Sequence, residues 1–292
     1  MKAYLDMVVD ILSRGVDTEN RTKFDTRVLP FQHFDHNMAE GFPLLTTKKM
    51  PLRTIAVELY AFIHGINSKA WLKEHGCHIW DHWCNPQAIP EGLSQEAKQA
   101  FQKECDDLGP YYGVQWRRWN EVYDEDDEGY IKGIDQLSNV IHLLKHNPTD
   151  RRIICNSWNI GQIDRMALPP CHYTWSCVPT GNILNLSFVM RSVDIGVGLP
   201  FNIALYALLL LLLSKECELQ PGRLHAFLEN AHIYTNQFPA LIQQLDRKPR
   251  PLPQLEIVTP GEDFSFYDWF HNDYKLIDYH PHDKLHMGEI AV

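Results

Sequence analysis

The chain has 292 residues, 45% hydrophobic and 22% charged, enough to bury a substantial core in one large domain or two small ones. A formal net charge of -10 argues against nonspecific binding to a phosphate backbone, so an anionic ligand must be gripped by a local arginine cluster. The seven cysteines are odd in number, scattered and preceded by no signal peptide, which indicates a reducing, cytoplasmic setting.

In chain order, Leu5, Val8, Val9 and Leu12 have helical spacing and predict a helix over 4–13, and 52–65 repeats the pattern. Between them, 21–47 mixes turn formers with short apolar stretches and reads as strand and loop, closed by Lys48 and Lys49. A polar, partly helical insertion is expected at 87–104, and the acid run 124–128 reads as a solvated loop. Helical spacing returns over 134–146 until Pro148 stops it. Segments 152–158, 172–178 and 184–190 read as strands, with further strands near 231–234 and 255–258. The apolar run 203–213 is shorter than the roughly 20 residues that span a bilayer and reads as a helix buried on all sides. Without regular βαβ alternation, linker or repeat, the expectation is α+β and one compact domain over 1–292.

Cysteine after two prolines is ordinarily a small buried hydrophobe. Around Cys171 the context differs: His172 follows directly, and a strand ending in Arg191-Ser192 and Asp194 can pair with the cysteine strand. An arginine near a thiol favours the reactive thiolate. Arg151 and Arg152 are adjacent, so on a strand they point to opposite faces and cannot grip one anion together; one of them can serve another subunit. Glu58 sits in an apolar helix, between Val57 and Leu59, where an unpaired carboxylate is costly and its pKa should rise.

All of these residues but Glu58 and its neighbours fall within blocks that resemble the thymidylate synthases, in the same order, and the match runs from Met1 to Val292. The blocks are Arg21-Thr22, Phe42-Pro43-Leu44-Leu45-Thr46-Thr47-Lys48, Ile79-Trp80-Asp81-His82-Trp83 and Leu108-Gly109-Pro110-Tyr111-Tyr112-Gly113. They continue with Asp150-Arg151-Arg152-Ile153, Ala167-Leu168-Pro169-Pro170-Cys171-His172 and Arg191-Ser192-Val193-Asp194. Gly198-Leu199-Pro200-Phe201-Asn202-Ile203-Ala204 and His232-Ile233-Tyr234 complete the match.

The resemblance implies a homodimer of α+β subunits, a mixed sheet packed against helices, one sheet face forming the dimer interface. Each site would borrow Arg151 and Arg152 from the partner and, with Arg21, Arg191 and Ser192, hold the nucleotide phosphate. Cys171 would attack C6 of the pyrimidine with Arg191 keeping it ionised. Asn202 would bind N3 and O4, and His172 would support an ordered water. His232 and Tyr234 would read the 3' hydroxyl. Glu58 would do general acid and base work, with Tyr112 near the water that removes the C5 proton. The implied one-carbon donor is 5,10-methylenetetrahydrofolate, contacted by Lys48, Ile79, Trp80, Trp83, Leu168 and Asp194 and closed over by the tail ending at Val292.

Several positions depart from the family pattern. The loop after Arg21 reads Thr22-Lys23-Phe24-Asp25-Thr26 where small residues and glycine are usual. Tyr173-Thr174-Trp175-Ser176-Cys177 follows the nucleophile, Met190 precedes Arg191, and Glu229-Asn230-Ala231 precedes His232. The alternatives to dUMP methylation are therefore a dUMP or dCMP 5-hydroxymethylase and a dCMP 5-methylase. Asn202 favours uracil, although a flipped amide can present its oxygen to a cytosine amine.

Cys77, His78, His82 and Cys84 overlap the Ile79-Trp80-Asp81 block and fit no zinc spacing, His280, His282 and His286 near the terminus read as surface residues, and no metal is expected. A noncatalytic relative acting on RNA is disfavoured by the net charge and by the retention of Cys171, Glu58, Tyr112, Arg191 and Asn202.

Overall fold

The computed structural model describes residues 1–124, 129–131, 133–258 and 264–289. The first half carries α1 (Lys2–Arg14), β1 (Val16–Thr18), β2 (Thr26–Val28), β3 (Gln32–Asn37), α2 (Leu52–His64), α3 (Lys69–Glu74), α4 (Gln95–Glu104), α5 (Tyr112–Arg117), β4 (Val122–Asp124), β5 (Gly129–Ile131) and α6 (Gln136–His146). The second half carries β6 (Ile154–Asn156), β7 (His172–Thr180), β8 (Ile183–Asp194), α7 (Gly198–Glu216), β9 (Gln220–Tyr234), α8 (Phe238–Leu245), β10 (Gln254–Ile257) and β11 (Tyr274–Ile277). The fold is α+β, and the chain forms two compact units, Met1–Leu52 with Cys177–Val292, and Arg53–Ser176.

In the first unit β9 is the axis of a mixed sheet. It pairs in parallel with β8 and antiparallel with β2 and β3, and β1 extends β2. A parallel pair needs a long crossover, which α7 supplies between β8 and β9. That helix lies against both strands, and Tyr206 stacks on Phe188 at 4.2 Å. Gly198–Glu216 has the length and composition to cross a membrane, but 78% of its most apolar window is buried inside the protein. Leu205, Leu208, Leu209, Leu212 and Leu213 are fully buried, each contributing about 1.5–3 kcal/mol. Along β8 strict alternation buries Leu184, Leu186, Phe188 and Met190, then breaks, so that Arg191 and Ser192 are both half-buried before Val193 returns inward.

In the second unit α2 is buried through Ile55, Ala56, Val57, Leu59, Ala61, Phe62 and Ile63. Helix α5 meets α2 at Gly113, where a Cβ would lie 2.8 Å from the Phe62 Cα and 2.9 Å from the Ala61 carbonyl oxygen. Only glycine allows that approach, and it brings the Tyr112 ring to 5.0 Å from Phe62. Asp135 caps α6 by accepting from the Ser138 N–H at 2.9 Å. The polar insertion contains α4, whose residues are all exposed or half-buried, capped by Ser94. The acid run keeps Asp124 in β4, and 125–128 lie outside the described residues.

One expectation is corrected. Arg151 and Arg152 are in a turn, not on opposite faces of a strand, and β6 begins only at Ile154. The cause is Asp150, which accepts from the Arg152 N–H at 2.8 Å and from its guanidinium at 2.9 and 2.7 Å, closing the turn. The Arg152 side chain holds the Asp150 carboxyl down at about 2.

Candidate active site

In the second unit the resemblance places Glu58, Trp80, Tyr112, Cys171 and His172, and a continuous chain of contacts joins them. Glu58 projects from the buried stretch of α2, and desolvation raises its carboxyl to about 7. The opposing influence is the Trp80 indole, which donates to Glu58 Oε1 at 2.9 Å. Trp80 is itself buried and meets Tyr111 edge-on at 5.0 Å and Tyr112 at 6.1 Å.

Tyr112 opens α5 and joins this group to the cysteine segment. Its Oη accepts from the Cys171 N–H at 2.7 Å, and its ring stacks on His172 at 4.1 Å and 15°. His172 is buried, and desolvation pulls its imidazole down to about 3, so the ring is neutral at physiological pH. Cys171 is a half-buried thiol just before β7. Ile79 is 40% exposed, Trp83 and Leu168 are half-buried, and Arg151 and Arg152 are exposed. Near Glu58, burial and then the carboxylate push the Cys77 thiol up to about 12.

In the first unit the implied residues gather around the end of β8. Asp194 Oδ1 accepts from the Gly196 and Val197 N–H groups at 2.8 and 3.2 Å, and its Oδ2 accepts from the Gln237 amide at 2.8 Å. Lys48 is buried and donates to the Gly196 carbonyl at 2.6 Å; burial lowers its ammonium to about 8, against the attraction of Asp194. His232 stands opposite Asp194 on β9, its pKa lowered by burial and partly restored by that carboxylate. Its Nδ1 lies 3.0 Å from Asn230 Oδ1, and Tyr234 sits edge-on at 5.2 Å. Ser192 pairs with Asn230, Asn202 is half-buried in the first turns of α7, and Arg21 is exposed in the bend before β2. Val292 lies outside the described residues.

Two features were not legible in the sequence. Gln237, which fixes Asp194, lies in a polar turn with no signal of its own, and the two meet only because β9 runs beside β8. Lys23, one of the departures in the loop after Arg21, pairs with Glu289 at 2.7 Å, and Asn236 donates to the Glu289 carbonyl at 2.8 Å. The Lys23 pair is exposed on both sides and contributes little energy. It nonetheless tethers the end of the described chain to the arginine loop.

Residues 2–292 match the thymidylate synthase family. The bifunctional dihydrofolate reductase-thymidylate synthase of Paramecium tetraurelia is 39% identical over 285 residues, which are 97% of this chain and 60% of that protein. The thymidylate synthase of Coxiella burnetii is 36% identical over 285 residues, 98% of each chain. The chain belongs to the thymidylate synthase family, a family of methyltransferases.

Proposed function

We propose that this chain, acting as one catalytic domain over 1–292, methylates dUMP to dTMP, with 5,10-methylenetetrahydrofolate supplying the carbon and the hydride. The observation that carries this reading is Glu58, a carboxyl lifted to about 7 and joined through Trp80 and Tyr112 to the Cys171 segment. In this mechanism the Cys171 thiolate adds to C6 of the pyrimidine and makes C5 nucleophilic. Glu58, poised near neutral pH, gives and takes the protons that O4 and the folate nitrogen require. Asn202 binds N3 and O4. His172, neutral at working pH, orders a water by hydrogen bonding without adding charge. Tyr112, whose Oη accepts from the Cys171 backbone, directs its own proton toward the water that takes the C5 proton.

Arg21, Arg191 and Ser192 hold the phosphate, together with Arg151 and Arg152 donated across a homodimer interface. The exposure of the turn at Arg151 and Arg152 supports this assignment, and Asp150 holds the Arg152 guanidinium in a fixed plane. His232 and Tyr234 bind the 3' hydroxyl. Ile79, Trp80, Trp83 and Leu168 offer apolar surface to the folate, while Lys48 and Asp194 shape the turn at Gly196 and Val197. The tail ending at Val292 excludes water.

Mass spectrometry of the product formed from methylenetetrahydrofolate with dUMP and, separately, with dCMP tests the reading. A methyl product from dUMP with release of dihydrofolate is expected. A hydroxymethyl product with release of tetrahydrofolate, or turnover of dCMP alone, overturns the synthase reading and leaves a Cys171 mechanism of another outcome.

A further inference from the structure

Cys84 and Cys105 stand at the two ends of the polar insertion, and neither enters the nucleotide chemistry above. In the second unit the Cys84 thiol donates to the Asn85 carbonyl at 3.6 Å and the Cys105 thiol to the Asp107 carbonyl at 4.0 Å, and Asn85 and Asp107 are themselves joined. The backbone brings them together independently of the sulfurs. The Asn85 N–H donates to the Asp107 carbonyl at 2.8 Å, and the Asn85 amide donates to Asp107 Oδ2 at 2.9 Å. The Lys69 N–H donates to the Asp106 carbonyl at 2.9 Å, and Ser68 forms an antiparallel bridge with Asp107. The Lys69 side chain, 2% exposed, ties the same two ends, donating from Nζ to the Trp83 and Gln102 carbonyls at 3.1 and 2.5 Å. Burial and then Lys73 lower the pKa of its ammonium, against the smaller influence of the two cysteines. Between the ends, α4 has no deeply buried side chain, so the insertion is held chiefly where it leaves and rejoins the unit.

We propose that Cys84 and Cys105 are a redox pair, closing to a disulfide that staples the base of the insertion and reopening under reducing conditions. The oxidant is a low-molecular-weight disulfide of the glutathione class. Cys105, the half-exposed member, loses its proton to water and attacks one sulfur of the oxidant, expelling a thiolate with the bonding electron pair. Cys84, 2% exposed and on the segment that Asn85 ties to Asp107, then loses its proton and attacks the Cys105 sulfur, expelling the second thiolate. Two protein thiols and one small disulfide become one protein disulfide and two small thiols. Burial, followed by the neighbouring Cys105, raises the Cys84 thiol to about 11 while Lys69 opposes them, so closure accelerates as pH rises. Contacts independent of sulfur hold the two segments together whether the thiols are reduced or joined.

The experiment uses the full chain in excess oxidised glutathione, quenched by alkylation and mapped by mass spectrometry. The expected result is a peptide pair joined through Cys84 and Cys105, with titratable thiols reduced by two from seven. Limited trypsin cleavage at the exposed Lys98 or Lys103 should leave two fragments that migrate together on a denaturing gel and separate on reduction. In Cys105→Ser, a conservative change at a half-exposed position, and in Cys84→Ser, the nicked fragments should separate without reductant. A stable glutathione adduct on Cys105 with Cys84 still alkylatable, an absence of reaction at both thiols, or fragments that stay joined in Cys105→Ser would overturn the proposal.

Discussion

Replacing Glu58 with glutamine removes a buried acid while keeping its size and its ability to accept from Trp80. The folded protein holds the Glu58 proton up to about pH 7, whereas an ordinary glutamic acid releases it near 4.5. Between those values the folded state binds more protons than the unfolded state, so stability falls as pH rises and levels off above the folded pKa. The difference corresponds to about 3 kcal/mol when fully developed, of which roughly 2.5 kcal/mol appears between pH 5 and 8. Glutamine does not ionise. Urea denaturation of both proteins across that range should therefore show a Glu58→Gln stability difference that grows with pH, the variant gaining about 2–3 kcal/mol relative to the parent by pH 8. Other titrating groups cancel in the difference, and any packing offset is independent of pH. A flat difference, or one of opposite slope, would refute the claim that Glu58 is raised by burial.

Trp80→Phe removes the donor that opposes burial, and the alkaline limb of the kcat/KM profile should move up by about 1–2 pH units, the value of a hydrogen bond to a charged group. Tyr112→Phe deprives the Cys171 N–H of its acceptor and should cost about 1–3 kcal/mol in urea unfolding, with turnover falling as the cysteine segment loosens. Gly109→Ala should be severely destabilising, by about 3 kcal/mol or more, because φ is +69° and a Cβ would lie 1.9 Å from the Arg165 carbonyl oxygen; thermal unfolding measures it. Nitrogen NMR of the His172 ring should show a neutral imidazole throughout pH 5–9, titrating only near 3.

The legible elements were those long enough to repeat a pattern. Helices α1, α2 and α6 and strands β7 and β8 carry several turns or alternations, and the sequence locates them within a few residues. Helix α5 has six residues and no polar face, since Tyr112, Gly113, Val114, Gln115 and Trp116 are all buried, so no periodicity marks it. Helix α8 begins with Pro239 in its first turn, a position that proline suits but that also resembles a stop. Only the end of β9 was anticipated, because Pro221 and Gly222 interrupt the strand signal at the point where its register with β8 shifts. In the site, the raised Glu58 followed from its apolar neighbours. Its Trp80 partner, and the grip of Gln237 on Asp194, depend on distant residues meeting and leave no local trace.

The adjacency of Cys171 and His172 invites a different mechanism, in which the imidazole takes the thiol proton as in a Cys–His pair. The structure argues against that division of labour. A base must have a pKa comparable to the proton it accepts, and His172, pulled down to about 3, is too weak to deprotonate a thiol. Its ring is held face to face with Tyr112 in a buried setting, where a charged imidazolium would be costly. Burial acts on Glu58 with the opposite result, because neutralising a carboxyl raises its pKa and brings it to about 7. One physical cause thus moves the two groups in opposite directions, which is what the proposed mechanism requires of them. In the proposed mechanism activation of the thiol falls to positive charge, the role the resemblance implies for Arg191, rather than to a neighbouring base.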